Sequence, residues 1–129
     1  MKSRKIRKQS FVVDNGTYPF DVAVFIGHSH KEICDFIEKR KNYKLSNDEF
    51  EILHRHGKAK TTMLKGGQTI LQITNEVDDV KFKALLAHEI FHAVEFLMEK
   101  IGSKYNIESG ETWAYQIEYL TGSIYEKLK

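Results

Sequence analysis

Residues 69–102 read TILQITNEVDDVKFKALLAHEIFHAVEFLMEKIG, and their period changes part-way. From Thr69 to Thr74 the alternation of Ile70 with Gln72 and of Leu71 with Ile73 has the two-residue repeat of a strand. Beyond Asp78 and Asp79, apolar residues recur every three to four positions. Leu86, Ile90, Ala93, Val94, Leu97 and Ile101 line one side, which is the repeat of a helix. Either aspartate can cap this helix, and Gly102 stops it near Ile101. Phe91, Met98, Leu85 and Phe96 spread apolar surface round its flanks, so the helix is expected to be largely buried.

Working outward, Thr61–Leu64 and Thr69–Thr74 flank Lys65-Gly66-Gly67-Gln68, which reads as a hairpin. Further upstream, Phe11–Asp14 and Phe20–Ile26 are rich in β-branched and aromatic residues, and Asn15-Gly16 between them signals a tight turn. In the second run Phe20, Val22, Val24 and Ile26 share one face while Asp21 falls on the other, so that strand should lie on a core. Between the two hairpins, Ile33, Phe36 and Ile37 predict an amphipathic helix from Ser29 to about Lys41. Ser46 followed three residues later by Glu49 predicts a capped short helix through Ile52 and Leu53 towards Gly57. A last helix is expected from Ser109 or Gly110 to near Leu128. Hairpin, helices, hairpin and two long helices make an α+β fold, a small β-sheet packed on helices, in a single domain spanning residues 1–129.

With 129 residues and 41% hydrophobic content, the chain can bury a core without disulfides. A net charge of +2 falls well short of a dedicated nucleic-acid binder, so no nucleic-acid partner is expected. Cys34 is the single cysteine, which excludes an internal disulfide and a thiolate cluster and leaves any metal to histidine and carboxylate. Met1 to Lys8 holds five Lys or Arg but precedes no apolar run of signal-peptide type, and no stretch reaches membrane-spanning length. A cytoplasmic protein without a membrane partner is the expectation, with the basic start solvated.

The long helix carries His88-Glu89-Ile90-Phe91-His92. Residues four apart project from one helical face on adjacent turns, about the separation two imidazoles need to reach one tetrahedral Zn2+. Glu89 lies about 100° round from His88, which suits a general base beside a metal-bound water rather than a third ligand. A helix this apolar makes two histidines and a carboxylate expensive to desolvate unless something pairs with them. Catalytic zinc takes three protein ligands and leaves a fourth position open. Glu95 shares the polar stripe of Lys81, His88, His92 and Glu99 but sits about 10 Å along the axis from His88, too far to join them, and reads as solvated. Glu108, Glu111 and Glu118 remain. Glu111 is favoured because it opens the last helix, whose next turn offers Ala114 and Tyr115, so that a close-packed helix could point it at the histidines.

His88-Glu89-x-x-His92 followed, 19 positions after His92, by Glu111-Thr112-Trp113-Ala114-Tyr115 resembles the gluzincin-type zinc metallopeptidases. It is most similar to the minimal intracellular zincin domains carried by phages and mobile elements. The resemblance covers roughly Thr69 to Leu128. It implies one Zn2+ held by His88, His92 and Glu111, with Glu89 as catalytic base and a protein or peptide as substrate. It further implies that Thr69–Thr74 is the edge strand along which an extended substrate pairs. Many relatives carry an Asp four residues after the ligand Glu to orient a histidine. Tyr115 stands at that position here, and its phenol could accept a hydrogen bond from an imidazole N–H.

Such sites also need a donor for the tetrahedral oxyanion, for which Tyr105, Tyr115, Tyr119, His54 and His56 are the candidates. The pairs His28/His30 and His54/His56 have no acidic or Cys partners at telling spacing and read as surface or capping histidines. Trp113, Phe82, Phe91 and Phe96 read as core. Two other readings keep the metal. One is a deformylase-like hydrolase of small amides. The other is a non-catalytic module in which zinc ties the last two helices together.

Overall fold

The Phe11–Asp14 and Phe20–Ile26 runs pair as expected in the computed structural model, which describes residues 6–16, 18–40, 43–54 and 57–129. Strands β1 (Gln9–Asp14) and β2 (Asp21–Ile26) are antiparallel, with Asp14 opposite Asp21. The link between them is wider than a two-residue turn. The Asn15 N–H donates to Phe20 O at 3.0 Å, the Tyr18 N–H donates to the Asn15 side chain at 3.0 Å, and Gly16 takes φ 79°. The basic start through Lys5, the expected end of the first helix beyond Arg40, and Arg55 and His56 lie outside the described residues.

Two helices of different length share one capping device. Helix α1 (His30–Arg40) begins after Ser29, whose hydroxyl accepts the Glu32 N–H at 3.2 Å while Glu32 accepts the Ser29 N–H at 2.9 Å. Helix α2 (Asn47–His54) begins after Ser46 in the same way, at 3.2 and 3.0 Å to Glu49. These reciprocal bonds satisfy N–H groups that a helix start otherwise leaves open. The second hairpin joins β3 (Ala59–Met63) to β4 (Thr69–Ile73), antiparallel with Met63 opposite Thr69. Its first strand begins two residues earlier than the pattern suggests.

Helix α3 (Asp79–Lys100) is capped by Asp78, which accepts the Lys81 N–H at 2.8 Å. It ends where Gly102 takes φ 77°, with Ser103 N–H bonding Met98 O at 2.8 Å and Gly102 N–H bonding Glu99 O at 3.1 Å. A left-handed glycine with these two crossed bonds closes a helix that has no further donors of its own. Helix α4 (Gly110–Lys127) follows and packs against α3.

The strands form one mixed sheet in the order β1-β2-β4-β3, with β2 and β4 parallel. On one face Val22, Val24, Ile26, Leu71 and Ile73 meet Phe82, Leu86, Ile90, Val94 and Leu97 of α3 and Leu120 and Ile124 of α4. On the other, Ala23, Phe25 and Ile70 meet Ile33, Cys34 and Ile37 of α1 and Leu53 of α2. Strand β2 is therefore covered on both sides, which is why its sequence DVAVFI runs almost continuously apolar. Burying each such Leu or Ile stabilises the fold by roughly 1.5–3 kcal/mol. Truncating fully buried Leu86 to alanine is expected to cost about 2–5 kcal/mol. The architecture is mixed α and β, as expected, but the edge assignment is corrected. Strand β4 is paired on both sides, and the edge next to it is β3.

Candidate metal centre on α3

Helical spacing brings the side chains of His88 and His92 together on one face of α3. The two rings lie 4.7 Å apart, edge to face, and their Nε2 atoms are 3.0 Å apart. His92 Nδ1 sits 2.6 Å from Glu95 Oε1. With Glu95 ionised, Nδ1 is the donor, so in the neutral ring Nε2 carries its lone pair towards His88. Two nitrogens at 2.0–2.1 Å from one tetrahedral zinc are about 3.3 Å apart. The two histidines thus fit a shared cation with little movement, and the carboxylate behind His92 is the kind of partner that orients a ligating imidazole.

Glu95 is accordingly a correction. It is too far along the helix to ligate beside His88, but it is bound to His92 rather than simply solvated. Tyr115, a candidate to accept from a histidine N–H, is exposed, and Nδ1 of His92 is engaged by Glu95. Desolvation also falls elsewhere than on the histidines. His88 is exposed and His92 half-buried, whereas Glu89 is 5% exposed.

Glu89 points beneath the sheet edge. The Thr61 hydroxyl on β3 lies 2.9 Å from Glu89 Oε1 and 3.1 Å from Glu89 main-chain O. An ionised carboxylate only accepts, so the hydroxyl donates its one proton between them. Thr61 carries no motif and was missed in the sequence. The contact joins positions 28 apart, and only the pairing of β3 beside α3 creates it.

Glu111 lies exposed in the first turn of α4. Among the described residues no three His, Cys, Asp or Glu side chains gather as a metal-holding group, so Glu111 is not brought to the two histidines. Neighbouring rings do tie its turn to theirs. Trp113 packs at 6.1 Å on Phe91, and Phe91 at 6.3 Å on His92. Phe91 is not the core residue expected, being 45% exposed. Tyr105 meets Trp113 edge-on at 5.6 Å, which links it to the histidine turn. Tyr119 instead lies by Gly16 at the β1–β2 link, and His54 stacks on His30 at 4.2 Å by the opposite face of the sheet.

Comparison with protein-family models, curated proteins and solved structures finds no match for the chain. Geometry and side-chain chemistry therefore carry the functional reading.

Strand β3 completes the site. Leu64 N–H bonds Gln68 O and Thr74 N–H bonds Lys58 O, each at 2.8 Å, which fixes the phase of the β3–β4 ladder. Antiparallel residues alternate between bonding their partner and facing away. Lys60 and Thr62 therefore bond β4, while Ala59, Thr61 and Met63 turn their N–H and C=O to the outer edge, which among the described residues no further strand pairs. No helix among the described residues is long and apolar enough to cross a membrane.

Proposed function

We propose that this protein is a zinc-dependent metallopeptidase with a minimal zincin-like fold, acting on a protein or peptide inside the cell. The observation that carries the reading is the convergence of His88 Nε2 and His92 Nε2 to 3.0 Å, with Glu95 fixing the His92 ring and Glu89 one residue along. His88 and His92 would hold the ion, and Glu111, which the structure leaves apart from them in the first turn of α4, would complete the set once that turn moves towards them. Bound zinc supplies Lewis acidity, polarising the scissile carbonyl and lowering the pKa of its water.

The remaining work belongs to the chain. Glu89 accepts a proton as the water oxygen attacks the carbonyl carbon, then delivers it to the amine nitrogen as the C–N bond breaks. The open edge of β3 binds an extended peptide by main-chain hydrogen bonds, as sheet edges do. Of the oxyanion candidates, Tyr105 is favoured by its ring contact with Trp113, which packs on Phe91 beside His92.

The test is bound metal by elemental analysis in wild type, His92→Ala, Glu111→Ala and Glu89→Gln, with hydrolysis of a mixed peptide library measured in parallel. The expected result is one zinc in wild type, loss in both ligand variants, and retained zinc without cleavage in Glu89→Gln. A wild type that binds no zinc returns the histidine pair to a coincidence of spacing.

A further inference from the structure

Two properties coincide at Thr61. Its hydroxyl reaches Glu89 Oε1 at 2.9 Å, and its backbone N–H and C=O face the open edge of the sheet, because the ladder bonds at Lys58–Thr74 and Leu64–Gln68 assign the even positions of β3 to β4. One residue thus touches both the buried carboxylate and the place where a further strand would pair. Ala59 and Met63 also present backbone to the edge, but neither side chain can donate a hydrogen bond.

We infer that Thr61 is the positioning residue that registers an extended peptide against Glu89. This rests on the peptidase reading above. A strand added at the edge lies about 4.8 Å from β3, and two main-chain hydrogen bonds to Thr61 fix which of its residues stands beside the carboxylate. The hydroxyl bond to Oε1 fixes the carboxylate rotamer and leaves the other oxygen to take the proton from water and pass it to the leaving amine. Base and substrate are then indexed to the same residue, so thermal movement of the edge strand carries both together. Holding reacting groups in register in this way acts on the chemical step more than on binding.

The experiment measures kcat and KM on one cleavable peptide for wild type, Thr61→Val, Thr61→Ala, Thr61→Ser and Glu89→Gln, with bound zinc determined for each. Thr61→Val keeps the shape of threonine without its hydroxyl. It is expected to retain zinc, to hold KM within about threefold, and to lose about 10- to 100-fold in kcat. Thr61→Ala should move in the same direction, and Thr61→Ser should recover kcat to within about threefold. A second readout needs neither metal nor turnover. In metal-free protein the Thr61→Val and Glu89→Ala changes in melting temperature should be non-additive, as expected of two groups in contact.

Full kcat in Thr61→Val and Thr61→Ala overturns the assignment, while an active wild type and an inactive Glu89→Gln leave the peptidase reading standing. Additive melting changes overturn it as well. A zinc-loaded wild type that leaves every peptide intact overturns the peptidase reading and this assignment with it.

Discussion

Glu49 and Glu89 are the two carboxylates buried from solvent among the described residues, at 4% and 5% exposure, and they are held in opposite ways. Glu49 is saturated. Oε1 accepts the Ser46 N–H at 3.0 Å, and Oε2 accepts the Tyr43 hydroxyl at 2.7 Å and the Lys65 N–H at 2.9 Å. Burial pushes its carboxyl up, but the bonds from Ser46, Tyr43 and Lys65 outweigh burial and hold it below the ordinary range. The same contact pushes the Tyr43 hydroxyl up. Among the described residues Glu89 has one side-chain donor, a hydroxyl that it shares with its own main-chain carbonyl. A carboxylate fixed by three donors staples α2 to the β3–β4 turn, whereas one with spare acceptor capacity beside two converging histidines can exchange a proton.

The largest effect expected from this contrast is on catalysis. Glu89→Gln should lower peptide cleavage by about 1,000-fold with a melting temperature close to that of wild type. Glu49→Gln should do the reverse. It leaves donors around a neutral amide that itself brings N–H groups, and should cost on the order of 3 kcal/mol, or roughly 10 °C in melting temperature, while cleavage stays within about threefold. Assays of both variants for melting and turnover break the comparison if Glu49→Gln is inactive at full stability.

Acid sharpens the same contrast. The folded state lowers the pKa of Glu49, so between its folded and unfolded values the unfolded chain binds more protons, and falling pH favours unfolding. Its contribution is fully present above about pH 4.3–4.5, the ordinary glutamate range, and is lost as pH drops through the folded value. Melting temperature followed from pH 6 to pH 3 should therefore fall less steeply in Glu49→Gln than in wild type. Equal slopes would remove Glu49 as the source.

The elements of this fold were legible because periodicity is local, and the strand order was not because pairing is global. His88, Glu89 and His92 are set by spacing on one helix, and the capping bonds of Ser46 and Glu49 follow the same logic. The identical pattern at Ser29 and Glu32 was equally present in the sequence. The resemblance to zinc metallopeptidases made Thr69–Thr74 an edge strand, yet Gln72 is buried and β4 is central. The cue pointing the other way was the apolar run of β2, which implied a sheet covered on both faces. Thr61 was invisible because its partner comes from another element. Glu95 was readable, since residues three apart on a helix are neighbours and His92 lies three before it.

Glu95 differs from both buried carboxylates, being half-exposed and engaged by one imidazole. Glu95→Gln keeps an oxygen that can accept from His92 Nδ1 but removes its charge. Zinc affinity, measured by competition with a coloured chelator, is expected to weaken about tenfold. An unchanged affinity would mean that the His92 ring is oriented by packing against Phe91 instead.

The smallest effect belongs to the exposed twin of the Glu49 box. Glu32 also closes a Ser-x-x-Glu cap, but its further partner is Lys8 Nζ at 2.6 Å in open solvent. The hydrogen bond from Lys8, with that from the Ser29 N–H, draws its carboxyl down to about 2. Water and salt screen such a pair, so a large shift in the folded state does not translate into a large gain in stability. Lys8→Met should therefore move the melting temperature by no more than about 2 °C at physiological salt, with less change still at 1 M salt. Ser29→Ala in the same protein removes the cap bond itself and should cost about 1 kcal/mol at either salt concentration. If Lys8→Met proved as damaging as Glu49→Gln, burial would not be what separates the two boxes.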